Sequence, residues 1–227
     1  MAPGAYKKLR VQAVSPGAAD KAERGRKAAG CAGFHPADWR TARCGKLTAV
    51  RVFGIDCGTE ITGFGVVESS DAGREPRLVL KAMGAIRLKK ALTASQRLEQ
   101  VFRELTEAME NSHPDAVAIE EVFYSVNAKS ALKLGQVRGV ALLAAARLGL
   151  PVAEYAPLKI KSSVVGYGLA KKEQVQFMVA RLLGLAEPPQ PSDAADALAI
   201  AICHIHTAQT LALQGQGMEH QGPGTRD

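Results

Sequence analysis

The chain has 227 residues and a formal charge of +7, with 47% apolar and 22% charged residues. This balance excludes a wholly disordered chain and fits one globular domain, or at most two small ones. The longest uncharged apolar stretch, Gly139 to Ala146, is bracketed by Arg138 and Arg147 and falls far short of the roughly 20 residues a membrane span needs.

No membrane association is therefore expected. The amino-terminal basic residues are not followed by the apolar core of a signal peptide, so the expected location is cytoplasmic. Cys31, Cys44, Cys57 and Cys203 are then expected to be free thiols.

The charge is concentrated at one end. Residues 1–49 hold ten Lys or Arg against three acids, a net of +7, and the remainder carries equal numbers of basic and acidic residues. The overall basicity is thus no sign that the folded part binds nucleic acid; local patches must supply that argument. The leading segment shows no sustained period of 2 or 3.6 and reads as a disordered basic extension. Cys31, His35 and Cys44 lack the number and spacing of a zinc site. Folded periodicity begins abruptly at Val50, the residue a bacterial GTG start codon would show if the start had been placed too early. Residues 1–49 are therefore expected to be absent from the natural product or dispensable. The folded domain is expected over 50–213 and a flexible tail over 214–227.

From Val50 a short apolar run ends in Asp56, a Gly and Thr turn follows, and Phe64 to Glu68 return as the second strand of a hairpin. Residues 77–88 read as a third strand. Thr93 and Gln96 form a capping-box pair, and Leu98, Val101, Phe102, Leu105 and Met109 follow at helical spacing, predicting a helix over 94–111. Asp115 to Val122 reads as a buried strand, and Asn127 can cap a long helix to Arg147 in which Gly135, Gly139, Ala141, Ala144 and Ala145 suit close packing. Pro151 to Tyr155 is a fifth strand. Helices follow over 157–165, 171–184 and 193–209, separated by Gly166, Gly168 and the prolines at 188, 189 and 191. This order describes an α/β mixed five-stranded sheet flanked by helices.

Four acids stand where apolar or small residues belong: Asp56 ends the first strand, Glu120 lies in Val-Ala-Ile-Glu-Glu-Val, and Asp193 and Asp196 open an Ala- and Leu-rich helix. Isolated buried carboxylates are expensive, and no matching set of buried cations accompanies them. A divalent cation resolves the imbalance. Asp193 and Asp196 project from one side of a helical turn, and oxygen-only ligands select Mg²⁺, with Mn²⁺ as a substitute, over zinc. Such a cluster can hold two ions about 3.5–4 Å apart and support in-line phosphodiester displacement. Simpler roles exist for single members: Asp193 as an N-cap, Asp56 as a turn acid, Glu121 as a solvated residue facing away. Lys159, Lys161, Lys171 and Lys172 form a local basic cluster suited to phosphates, or a solvated face. Phe123 suits either stacking on an unpaired base or ordinary core packing.

Four ordered motifs carry a resemblance. They are Phe53-Gly-Ile-Asp-Cys-Gly-Thr-Glu-Ile-Thr-Gly-Phe-Gly-Val-Val67, Ala118-Ile-Glu-Glu-Val-Phe123, Asn127-Ala-Lys-Ser-Ala-Leu-Lys-Leu-Gly-Gln-Val-Arg-Gly139 and Ser192-Asp-Ala-Ala-Asp-Ala-Leu-Ala-Ile-Ala-Ile202. Together they resemble the RuvC family of bacterial Holliday-junction resolvases from about residue 51 to 209. The resemblance implies a ribonuclease H-like fold, a homodimer, and Mg²⁺-dependent cleavage of four-way DNA junctions in recombination and repair. It implies Asp56, Glu120, Asp193 and Asp196 as catalytic metal ligands, Lys161 and Lys172 as basic residues near the scissile phosphate and along the DNA, and Phe123 as a contact to junction bases. RuvA and RuvB are the implied partner proteins. Cys57 stands where this family often has Pro, and the 49-residue leader has no counterpart in its usual pattern.

Ile55-Asp-Cys-Gly-Thr also resembles the first phosphate loop of sugar-kinase, actin and heat-shock ATPases. Those need a second domain and a second Gly-rich loop, which this chain lacks room for. Another ribonuclease H-like nuclease, acting on hybrids or flaps, and a DNA-binding protein with an inactive site are the remaining alternatives.

Overall fold

Alternation along the first strand decides how the sheet is covered. In the computed structural model, which describes residues 49–70, 77–121 and 128–219, β1 (Arg51–Asp56) sends Phe53 and Ile55 into one core and Val52 into the other. Phe123, the Asn127 cap, the turn at 71–76, the leader through residue 48 and the end of the tail from residue 220 lie outside the described residues.

Beside β1 run β2 (Ile61–Ser70), β3 (Arg77–Arg87), β4 (Ala116–Glu120) and β5 (Val152–Tyr155), in the spatial order β3-β2-β1-β4-β5. The β1–β2 and β2–β3 pairs are antiparallel, and β1–β4 and β4–β5 are parallel. Both faces are therefore buried, as parallel strands require. The expected mixed five-stranded sheet is the one observed.

One face is covered by α1 (Ala94–Ser112) and α2 (Ala128–Arg147), which pack Val101, Leu105, Met109, Val137, Ala141 and Ala144 against Phe53, Ile55, Phe64, Val66, Val117 and Ile119. The capping box forms as expected, with the Thr93 hydroxyl accepting from the Gln96 N–H and the Gln96 side chain accepting from the Thr93 N–H. The same helix ends at His113 in a left-handed conformation, φ 47°, a position where a non-glycine residue gives no obvious stop signal.

The opposite face is dominated by α5 (Ser192–Glu219), with α3 (Pro157–Val165) and α4 (Lys172–Leu182) packed around it. Ala194, Ala195 and every residue from Ala197 to Cys203 are buried. By length and composition α5 is apolar enough over Ser192–Gln214 to cross a bilayer. Its apolar residues from Ala194 to Ile205 instead fill this core. The sequence places the end of this helix at 209, but the backbone stays helical through Glu219. The Ala, Leu and Gln residues after 207 are strong helix formers, and Gly215 and Gly217 do not interrupt them.

Glycine lets α5 lie close. A Cβ on Gly54 would sit 2.0 Å from the Ala197 carbonyl oxygen, and one on Gly63 would sit 2.1 Å from the Asp193 carbonyl oxygen. On Gly65 it would meet Leu198 at 2.6 Å. Backbone atoms at the first two sites leave nothing to rotate away. Gly54→Ala and Gly63→Ala are expected to lower stability by about 2–3 kcal/mol and to displace the start of α5; urea unfolding measures the first and loss of divalent-cation binding the second.

Candidate active site

The same period that buries Phe53 and Ile55 puts Asp56 and Glu120 on the α5 face, at the carboxyl ends of two adjacent parallel strands. The first turn of α5 starts at this edge and brings Asp193 and Asp196 to it. A cavity of about 230 Å³ lies here, lined by Asp56, Glu120, Asp196, Lys161 and Lys172, with an apolar wall that includes Ile160 and Val175. Asp193 is not among its lining residues, but its charge acts on Asp56, Asp196 and Lys172. Ser192 opens the helix, and Asp193 lies within its first turn.

Of the four lysines, Lys161 and Lys172 line the cavity, whereas Lys159 and Lys171 are exposed outside it. The apolar wall was not singled out by the sequence, because Ile160, Val175 and Ala199 read as ordinary helical core.

Too much negative charge is gathered for the cations available. Burial first, and then Asp196, Glu120 and Asp193, push the Asp56 carboxyl up to about 7. Burial, followed by repulsion from Asp196, also raises Glu120. The Lys172 ammonium lies 2.5 Å from Asp196 Oδ2, and that hydrogen bond raises the lysine. An ion pair alone would lower its acid, yet Asp196 is raised, because burial outweighs the single ammonium. Cys57, next to Asp56, is pushed up to about 12 by burial and then by Asp56. Its thiol stays protonated.

The donors present suit a hard divalent cation: carboxylate oxygens line the cavity, and their mutual repulsion would be relieved by a doubly positive ion. Among the described residues no three His, Cys, Asp or Glu side chains stand close enough together to hold a metal ion as they are. Lys172 on Asp196 supplies positive charge in that arrangement.

A family model described as crossover junction endodeoxyribonuclease RuvC matches residues 52–204. The chain belongs to the RuvC family. A RuvC from Acidobacterium capsulatum is 67% identical over 168 residues, covering 73% of this chain and 98% of that protein. The solved RuvC of Thermus thermophilus superposes with a TM-score of 0.66 at 36% identity, over 71% of this chain and 96% of its own. The same Thermus protein in complex with a Holliday junction substrate gives 0.64 at 34% identity, over the same shares of the two chains. The ribonuclease H-like fold expected from the sequence is thereby established, and with it a RuvC endonuclease acting on phosphodiester bonds. RuvC nucleases depend on metal ions, which agrees with the oxygen-donor set.

The shift of Asp56 has a stability consequence in metal-free protein. Its folded value lies above the ordinary 3.8, so the folded state holds its proton more tightly than the unfolded state, and stability is lost as pH rises from about 4 through 7. In EDTA, Asp56→Asn is expected to melt higher than the wild type at pH 8, with the difference shrinking towards pH 4. A constant difference between the two melting curves across that range would contradict the assignment.

Proposed function

We propose that this chain resolves four-way DNA junctions by paired, symmetrical phosphodiester cleavage, with Asp56, Glu120, Asp193 and Asp196 as the catalytic carboxylates. The observation that carries this reading is the meeting of Asp56, Glu120 and Asp196 around one cavity at the start of α5, with Asp193 one turn away. When bound there, Mg²⁺ or Mn²⁺ supplies water activation and neutralises charge at the leaving oxygen, in the manner of two-ion phosphodiester hydrolysis. The chain's residues hold the carboxylate oxygens in place and exclude bulk water with the Ile160 and Val175 wall. Lys161 and Lys172 offer ammonium groups to the phosphate, Lys172 by exchanging Asp196 for it. Lys159 and Lys171, outside the cavity, contact the flanking backbone. Phe123 is assigned to contact with junction bases. Residues 50–213 make up the nuclease domain of a cytoplasmic protein, acting beside RuvA and RuvB.

Two related nicks require two related sites, which a two-fold dimer supplies. The outward face of α2 supports this reading: Leu132 is 71% exposed and Leu143 53%, and between them Gly135 and Gly139 have nothing within 4 Å of an added Cβ. A smooth apolar face of this kind suits close approach of a second α2. Gly139→Arg is accommodated by the isolated fold, and it is expected to give a monomer by analytical ultracentrifugation and unpaired nicks on a junction. A dimer that persists with wild-type affinity would place the interface elsewhere.

The direct test is a synthetic four-way junction beside linear duplex, flap and RNA:DNA hybrid, with Mg²⁺ or EDTA and with Asp193→Asn. Paired nicks in the junction alone are expected. EDTA should abolish them, and Asp193→Asn should lower the rate by about 10³-fold or more, since metal ligation supplies several kcal/mol, while junction binding survives. Cleavage of the hybrid or flap instead would assign a different substrate to the same carboxylates.

A further inference from the structure

We infer that Arg138 is a positioning residue for Glu120, fixing the end of β4 so that its carboxylate faces the cavity; this rests on the reading of Glu120 as a metal ligand. The β1–β4 ladder ends at the rung pairing Ile55 with Ile119, whereas β4 continues to Glu120 and pairs there with Tyr155 of β5. On the β5 side the strand end is tied down, since the Glu121 N–H donates to the Tyr155 carbonyl at 2.9 Å. The Glu120 carbonyl lies beyond the last β1 rung.

Arg138, reaching in from α2, donates from Nε to that carbonyl at 3.4 Å. Its Nη2 pairs with the carboxylate of Glu154, in β5. The Arg138 side chain is only 17% exposed, and its charge is felt at the neighbouring Cys57 thiol. One side chain thus ties a helix to the ends of two strands. It does not line the cavity, so it acts through the Glu120 backbone and not on a reacting atom.

The planar fork of Arg suits this double attachment, and the single ammonium of Lys does not. Groups that orient a metal ligand commonly change affinity by 10- to 100-fold when removed. The length of the Arg138–Glu120 bond places the expectation at the lower end.

The test uses the full chain without DNA and titrates Mn²⁺ by calorimetry into wild type, Glu120→Gln, Arg138→Ala, Arg138→Lys and Glu154→Gln. Arg138→Ala is expected to bind Mn²⁺ about 10-fold more weakly. In junction cleavage it should raise the Mg²⁺ concentration for half-maximal rate by a similar factor, with the rate recovering at saturating Mg²⁺. Arg138→Lys is expected to retain the defect, and it carries the test if Arg138→Ala does not fold. Glu154→Gln should show a smaller defect in the same direction. Wild-type Mn²⁺ affinity in both Arg138 variants, with affinity lost in Glu120→Gln, would overturn the role of Arg138 and leave Glu120 as a ligand. Wild-type affinity in Glu120→Gln would overturn the ligand reading and this inference together.

Discussion

The contact between α5 and the glycines of β1 and β2 is the constraint on which the rest depends. Gly54 and Gly63 let the helix backbone approach nearer than any side chain would permit, and that depth sets where its first turn meets the sheet edge. Asp193 belongs to that turn and Asp196 follows one turn on, whereas Asp56 and Glu120 are delivered by the strands beneath. A helix held off by one methyl layer would keep all four acids and lose their meeting point. Small residues along the buried side of α5, Ala194, Ala197 and Ala201 among them, complete the fit from the other side.

The electrostatics run against the packing. Burial and mutual repulsion raise Asp56, Glu120 and Asp196 together, and one close ammonium does not offset them. Folding energy elsewhere, from two cores on opposite faces of the sheet, holds apart-wanting charges in one place. Such opposition between local and global preference is expected at functional sites. The neutral balance of the chain beyond residue 49 makes the local excess easy to overlook in any overall charge figure.

Much of this was legible in the residues themselves. Period-two burial, the Thr93–Gln96 cap and the Pro and Gly punctuation mark the elements, and of the four acids in apolar settings three, Asp56, Glu120 and Asp196, line one cavity. What the residues do not announce depends on contacts between distant segments. Nothing near Gly54 in sequence says that Ala197 will press on it. The two attachments of Arg138 join α2 to residues 18 and 16 positions away. The pairing of Lys172 with Asp196 likewise needs α4 and α5 in place. The left-handed turn at His113 and the continuation of α5 to Glu219 lacked the glycine that usually announces a helix end or were not stopped by the glycines present.

The order of elements along the chain has a consequence for synthesis. The first carboxylate belongs to the central strand near the start of the fold, the second to β4, and the last two to the final helix. A nascent chain that has not yet emerged past residue 196 cannot assemble the set, however well its sheet has formed. The meeting of the four acids is thus a late event in the life of the chain, dependent on an element made after the whole sheet.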